Sequence, residues 1–204
     1  MVQSRAHLST KNKEEKESSS ALIPFKLTKE QKRVKADYLE LTKFKLSALN
    51  SVGSYTMFYY HAPLVGVGVF ESLLFVYATQ TIAMSTQCFG QIKEAELDAK
   101  MARTKNRPMA QGRIDPKTGC FVGTTLTLSS LMAYTYFEPY TWIVSNTVWF
   151  SYLCVYLPMK QRSELNTLAG AVVGALPPFI GTFAQTGALF DPTTLLLSAY
   201  IFSW

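Results

Sequence analysis

Glu94 and Asp98 stand four residues apart within Gln91 to Pro108, which reads Q-I-K-E-A-E-L-D-A-K-M-A-R-T-K-N-R-P. That spacing is one helical turn, so both carboxylates share a helix face. Arg103, Lys105 and Arg107 follow at once. Carboxylates bind a hard divalent cation, and guanidinium and ammonium groups bind phosphate oxygens. The block therefore suits a diphosphate held through Mg²⁺, presented at the end of a membrane segment.

The elements that must position this block are apolar. Only Glu71 is charged between His61 and Ile92, only Glu138 between Thr118 and Met159, and only Asp191 between Asn166 and Trp204. Uncharged runs of this length read as membrane spans, since about 20 residues cross the hydrocarbon. The 20 Lys and Arg residues all fall in 1–45, 92–117 and 158–165. The connections near His61–Pro63, Glu138–Pro139 and Asp191–Pro192 hold none, so basic and non-basic loops alternate as the positive-inside rule requires. The formal net charge of +6 thus follows from membrane orientation. A nucleic-acid partner is excluded, because that would need the cations on one face of a soluble domain.

The predicted architecture is an all-α, polytopic bundle. Apolar segments fall near 44–61, 64–91, 118–137, 139–158 and 167–190, with part of a sixth from 192 to the end. Residues 1–36 read as a flexible polar segment, and 37–204 as the transmembrane domain. Glu14, Glu15 and Glu17 do not suit a mitochondrial transit peptide, which is poor in acids. The second segment exceeds what a bilayer needs, so its Gln87 and Gln91 reach toward a polar cavity and Glu71 toward the opposite interface. Glu94, Asp98 and Met101 are expected to continue that helix until Pro108 stops it. In the fifth segment Gly170 and Gly174 allow close helix approach, and Pro177-Pro178 break the span. Cys88, Cys120 and Cys154 have no metal-ligand spacing and read as packing residues. Neither His7 nor His61 has a sequence-near partner.

Three blocks carry a resemblance: Leu41–Asn50 (L-T-K-F-K-L-S-A-L-N), Glu94–Pro108 (E-x-x-x-D-x-x-M-x-R-T-x-x-R-P) and Tyr156–Pro178 (Y-L-P-M-K-Q-R-S-E-L-N-T-L-A-G-A-V-V-G-A-L-P-P). In order and spacing they resemble the UbiA-type intramembrane prenyltransferases, and within that family the heme O synthases, or protoheme IX farnesyltransferases. The resemblance covers about residues 37–204 and reaches only the N-terminal part of the family pattern. It implies a helix bundle around a cavity open to the membrane, with two Asp-rich motifs that bind Mg²⁺ and a prenyl diphosphate. The first motif, N-x-x-x-D/E-x-x-x-D, maps onto Gly90, Glu94 and Asp98. Arg103, Arg107, Lys160 and Arg162 resemble the diphosphate-side cations, and Asn166 the polar residue that follows.

The implied reaction joins C1 of farnesyl diphosphate to a vinyl group of heme b, and water completes heme O. The implied setting is the mitochondrial inner membrane, with a respiratory oxidase or its assembly factors as partners. Two departures stand out. Gly90 replaces the motif's Asn, which leaves one metal ligand missing unless Gln87 or Gln91 supplies it. The second Asp-rich motif would follow the residue matching Trp204, where this chain stops, so the sixth segment reads as incomplete. A truncated, inactive paralogue serving as a structural or assembly subunit of a respiratory complex is the alternative. A quinone-precursor acceptor shares the metal chemistry, but the K-x-R-x-x-x-N-T-x-x-G block points to heme.

Overall fold

The computed structural model describes residues 28–160, 164–188 and 190–203, and these form helices and short connections without strands. The chain divides into two units, 1–36 and 37–204. Helix α1, Lys29–Leu41, opens with a reciprocal cap in which Gln31 N–H donates to Thr28 Oγ1 and Thr28 N–H to Gln31 Oε1. Such a cap satisfies two of the donors that a helix start leaves without partners. The polar segment expected to be flexible through residue 36 is thus helical from Lys29. Residues 1–27 lie outside the described residues.

Helix α2 spans Phe44–Val65, α3 Val69–Lys100 and α4 Pro116–Tyr134. Next come α5, Thr141–Phe150, a π-helical stretch, Ser151–Tyr156, and α6, Leu157–Lys160. The last helices are α7, Asn166–Gly174, α8, Pro177–Thr186, and α9, Pro192–Ser203. Helix α3 has 32 residues, roughly 48 Å at 1.5 Å per residue. It outruns a hydrocarbon core of about 30 Å and carries its last turns into the polar zone. It ends at Lys100, earlier than Pro108. Met101 is extended and donates its N–H to Asp98 O, and the Thr104 hydroxyl takes the same carbonyl at 3.1 Å. A tight turn stops the helix, and the proline lies beyond it.

Glu71 sits in the first turn of α3 and accepts from Gly68 N–H at 3.1 Å, so this acid caps a helix start. The break in the fifth segment comes where Ala175 and Leu176 separate α7 from α8, with Pro177 opening α8. Proline fits there because the first helical N–H has no partner to lose. Among the described residues one helical stretch, Asn166–Thr186, is long and apolar enough by itself to cross a membrane. The sequence windows suggest five spans and part of a sixth. The helix bounds differ because they include polar turns, such as Lys93 to Lys100 in α3.

The bundle is held by small residues and hydroxyls as much as by apolar bulk. Helix α2 packs along α3 and α8, and α3 along α4. A Cβ on Gly181 of α8 would stand 2.0 Å from Ser54 O of α2, so the two backbones touch and no larger residue fits. The Ser54 hydroxyl donates to Pro177 O at 2.8 Å. On the other side of α3, Ser85 donates to Gly123 O and Ser130 to Ala78 O, each at 2.8 Å. Lipid gives helices no hydrophobic reason to associate, so close backbone approach and such hydrogen bonds do that work. Phe58, Phe75, Tyr134, Ile180 and Ala184 form one buried cluster, in which Phe58 and Phe75 stack at 4.1 Å. Leu41, Cys88, Met109 and Ile114 form a second beneath the charged loop. Cys120 and Cys154 are exposed.

Candidate active site

Glu94 and Asp98 lie in the last two turns of α3, each 5% exposed. A helix C-terminus carries partial negative charge, so two buried carboxylates there need cations. Arg107 supplies one, with Nη1 2.6 Å from Asp98 Oδ2 and 3.9 Å from Glu94 Oε2. Lys160, at the end of α6, supplies another, with Nζ 2.7 Å from Glu94 Oε1. The loop that carries Arg107 is pinned by Arg113, whose Nη2 lies 2.9 Å from Asp37 Oδ1. A cavity of about 400 Å³ opens on the pair, lined among others by Leu97, Arg103, Thr104, Arg107 and Lys160.

A third cation was not legible in the spacing. Lys43 closes the turn before α2 in the left-handed region, at φ 42° and ψ 50°, a conformation that costs a residue with a Cβ. Burial lowers its pKa from 10.5, Arg107 and Lys160 lower it further, and Glu94 and Asp98 oppose them. It therefore stands in the field of the whole cluster. Its one sequence signal is its place in the Leu41–Asn50 block.

The other expected residues are distributed as follows. Arg103 is exposed on the cavity rim. Asn166 opens α7 and accepts from the Thr167 hydroxyl at 3.1 Å; it does not line this cavity. Arg162 lies outside the described residues. Gln91 Nε2 donates to Glu40 O and Leu41 O at 2.7 and 3.0 Å, which caps the end of α1. Gln87 is buried two turns before Glu94, in a second cavity. Among the described residues no three His, Cys, Asp or Glu side chains gather as a metal set. Mg²⁺, however, commonly takes one or two carboxylates and completes its shell with water and substrate phosphate. Glu94 and Asp98, on one helix face and at its negative end, fit that demand.

The UbiA prenyltransferase family model matches residues 52–204. The chain belongs to the UbiA prenyltransferase family. It is 36% identical over 172 residues to the protoheme IX farnesyltransferase of Anaeromyxobacter sp. (strain Fw109-5), covering 82% of this chain and 56% of that protein. With the mitochondrial protoheme IX farnesyltransferase of Homo sapiens the identity is 34% over 193 residues, 88% of this chain and 42% of that one. The chain thus spans about half the length of the curated relatives it matches. Its fold matches the apo structure of a UbiA homolog from Aeropyrum pernix K1 at a TM-score of 0.67 and 17% identity, over 79% of this chain and 60% of that one. A digeranylgeranylglyceryl phosphate synthase matches at 0.68 and 16% identity, over 82% and 58%. The all-α bundle is therefore the UbiA fold, as the sequence blocks imply. Within this UbiA chain, Gly90 faces an aromatic ring: a Cβ there would lie 3.5 Å from Tyr152 Cε1 and 3.8 Å from its hydroxyl. The space beside Gly90 is filled by a neighbouring helix.

Proposed function

We propose that the protein is a heme O synthase: it transfers farnesyl from farnesyl diphosphate to a vinyl group of heme b, with residues 37–204 carrying the prenyltransferase unit. The observation that carries this reading is the buried Glu94–Asp98 pair clasped by Arg107 and Lys160. When bound, Mg²⁺ supplies charge neutralisation to the diphosphate as it departs. Glu94 and Asp98 would hold it. Arg107 and Lys160 then exchange a carboxylate partner for a phosphate oxygen, and Lys43 joins them as the third ammonium or guanidinium. Cations already in place cost no reorganisation when charge develops on the leaving group. Arg103 guides the diphosphate from the rim, and the resemblance adds Arg162 to the diphosphate-side cations.

The names of the matched relatives support protoheme, heme b, as the acceptor and a mitochondrial setting; the inner membrane as the location and delivery of heme O to a respiratory oxidase are the expectation of the same reading. Nothing in the geometry favours a purely structural subunit. Membranes containing the protein are expected to convert heme b and farnesyl diphosphate to heme O only with Mg²⁺, read by chromatography and mass. Asp98→Ala lowers that conversion by about 10³-fold, the scale of losing a main electrostatic contact. Unchanged conversion in the mutant would overturn the site.

A further inference from the structure

The second cavity, about 70 Å³, lies inside the bundle between α2, α3, α5 and the break between α7 and α8. Its walls are mostly apolar, yet Gln87 Oε1, Ser145 Oγ and Trp149 Nε1 on its lining residues are buried with no well-formed hydrogen bond among the described residues; the Tyr152 hydroxyl stands near Gln87 and the Tyr134 hydroxyl near Ser145. Gln87 is 3% exposed and Ser145 1%. A buried polar group without a well-formed hydrogen bond is costly, so three around one small space mark a place that suits a polar occupant. Gln87 precedes Glu94 by seven residues, two turns on the same face of α3 and about 10 Å along it. Ser145, Trp149 and Tyr152 recur at i, i+4 and i+7, one face of α5 and its π-helical extension. The Trp149 indole is fixed edge-on against Phe89 at 5.8 Å. The π-helical stretch is tied to α3 by Lys93 Nζ donating to Leu153 O at 2.9 Å. Tyr152 also lines this cavity, near Gln87 and within the field of Glu94.

We infer that this cavity seats the water that completes the reaction, with Trp149 and Gln87 as its positioning residues; the inference rests on the heme O synthase reading. A water needs about 10–15 Å³ and two or more polar partners, and both are present. The indole N–H donates to the water oxygen, Gln87 Oε1 accepts one of its hydrogens, and Ser145 can do either. That arrangement leaves a lone pair free to attack. The C1–O bond of farnesyl diphosphate breaks, and the diphosphate leaves with the pair. The vinyl π electrons form the new C–C bond and leave the ring-side vinyl carbon cationic. The seated water forms the C–O bond there, and its proton passes to the released diphosphate. Without a positioned water the same cation sheds a proton to give an alkene, lighter by one water.

The test reads the ratio of hydroxylated to alkene farnesyl-porphyrin by mass spectrometry, in membranes supplied with heme b, farnesyl diphosphate, Mg²⁺ and H₂¹⁸O. The wild type is expected to give the ¹⁸O-labelled alcohol. Gln87→Met, nearly isosteric but unable to accept, and Trp149→Phe, unable to donate, are each expected to shift the ratio toward alkene by about tenfold, the worth of one aligned hydrogen bond. Gln87→Asn, which keeps the amide, should recover part of the alcohol. Ser145→Ala is the smaller change to read if either variant fails to accumulate. A wild-type ratio in all of these variants overturns the inference while leaving the farnesyl transfer standing. Absence of any farnesylated porphyrin from wild-type membranes overturns both.

Discussion

The two ends of the bundle use acids in opposite ways. At the charged end, Glu94 and Asp98 are held by side-chain cations, Arg107 and Lys160, with Lys43 in the same field. These cations outnumber the carboxylates, and they can swing to another anion without undoing a helix. At the far end, Asp191 accepts from Thr193 N–H and Thr194 N–H at 2.9 and 3.0 Å, with His61 Nε2 3.8 Å away. Glu71 likewise caps α3. There the acids are consumed by backbone donors that stay in place as long as the helices do. The difference teaches that the partner, more than the carboxylate itself, separates an acid available for binding from one that is structural.

Mutation should separate the ends in the same way. Arg107→Gln is expected to cut kcat/KM for farnesyl transfer by about 100-fold, the scale of losing one charged contact to a departing diphosphate. A loss of only a few-fold would mean the charged end is structural too. Next in size is Lys43. Because its folded pKa lies below 10.5, its ammonium deprotonates sooner than a free lysine as pH rises. Diphosphate binding, followed by calorimetry, should weaken on an alkaline limb below pH 10.5. Lys43→Arg should remove that limb, since a guanidinium stays charged. An identical limb in the variant would place the titration elsewhere.

The smallest effect is expected at Asp191. Its hydrogen bonds to Thr194 lower its pKa from 3.8, opposed by burial and aided by His61. A lowered carboxyl pKa gives stability that is full above the unfolded value and lost as pH falls through the folded one. Asp191→Asn should reduce Tm by roughly a few degrees at neutral pH through the weaker cap, keep farnesyl transfer at the wild-type level, and lose the wild type's acid sensitivity below about pH 3.8. Loss of transfer in this variant would erase the contrast between the ends.

What the sequence disclosed follows from distance along the chain. Glu94, Asp98 and Arg107 lie within four turns of one another, so helical periodicity and charge order made them readable. The break at Pro177 was readable for the same local reason. Lys160 came from the resemblance, since its pairing with Glu94 depends on how α6 packs against α3. Lys43 was missed because it reaches the site only through a left-handed turn between α1 and α2. The His61–Asp191 pair joins opposite parts of the chain and leaves no local trace. The end of α3 was misread because a threonine hydroxyl, rather than the visible proline, closes that turn. Gly181 gave no signal at all, since its constraint is another helix's backbone.

That last contact sets a timetable. Ser54 and Pro177, its hydrogen-bond partner beside Gly181, are 123 residues apart. At about 5–20 residues per second of synthesis, the partner emerges roughly 6–25 s later. During that interval α2 waits beside the ribosome with its serine-lined groove open to any other helix that fits. The groove is so narrow that it admits a glycine and rejects every side chain, which restricts the later helices that can settle against α2.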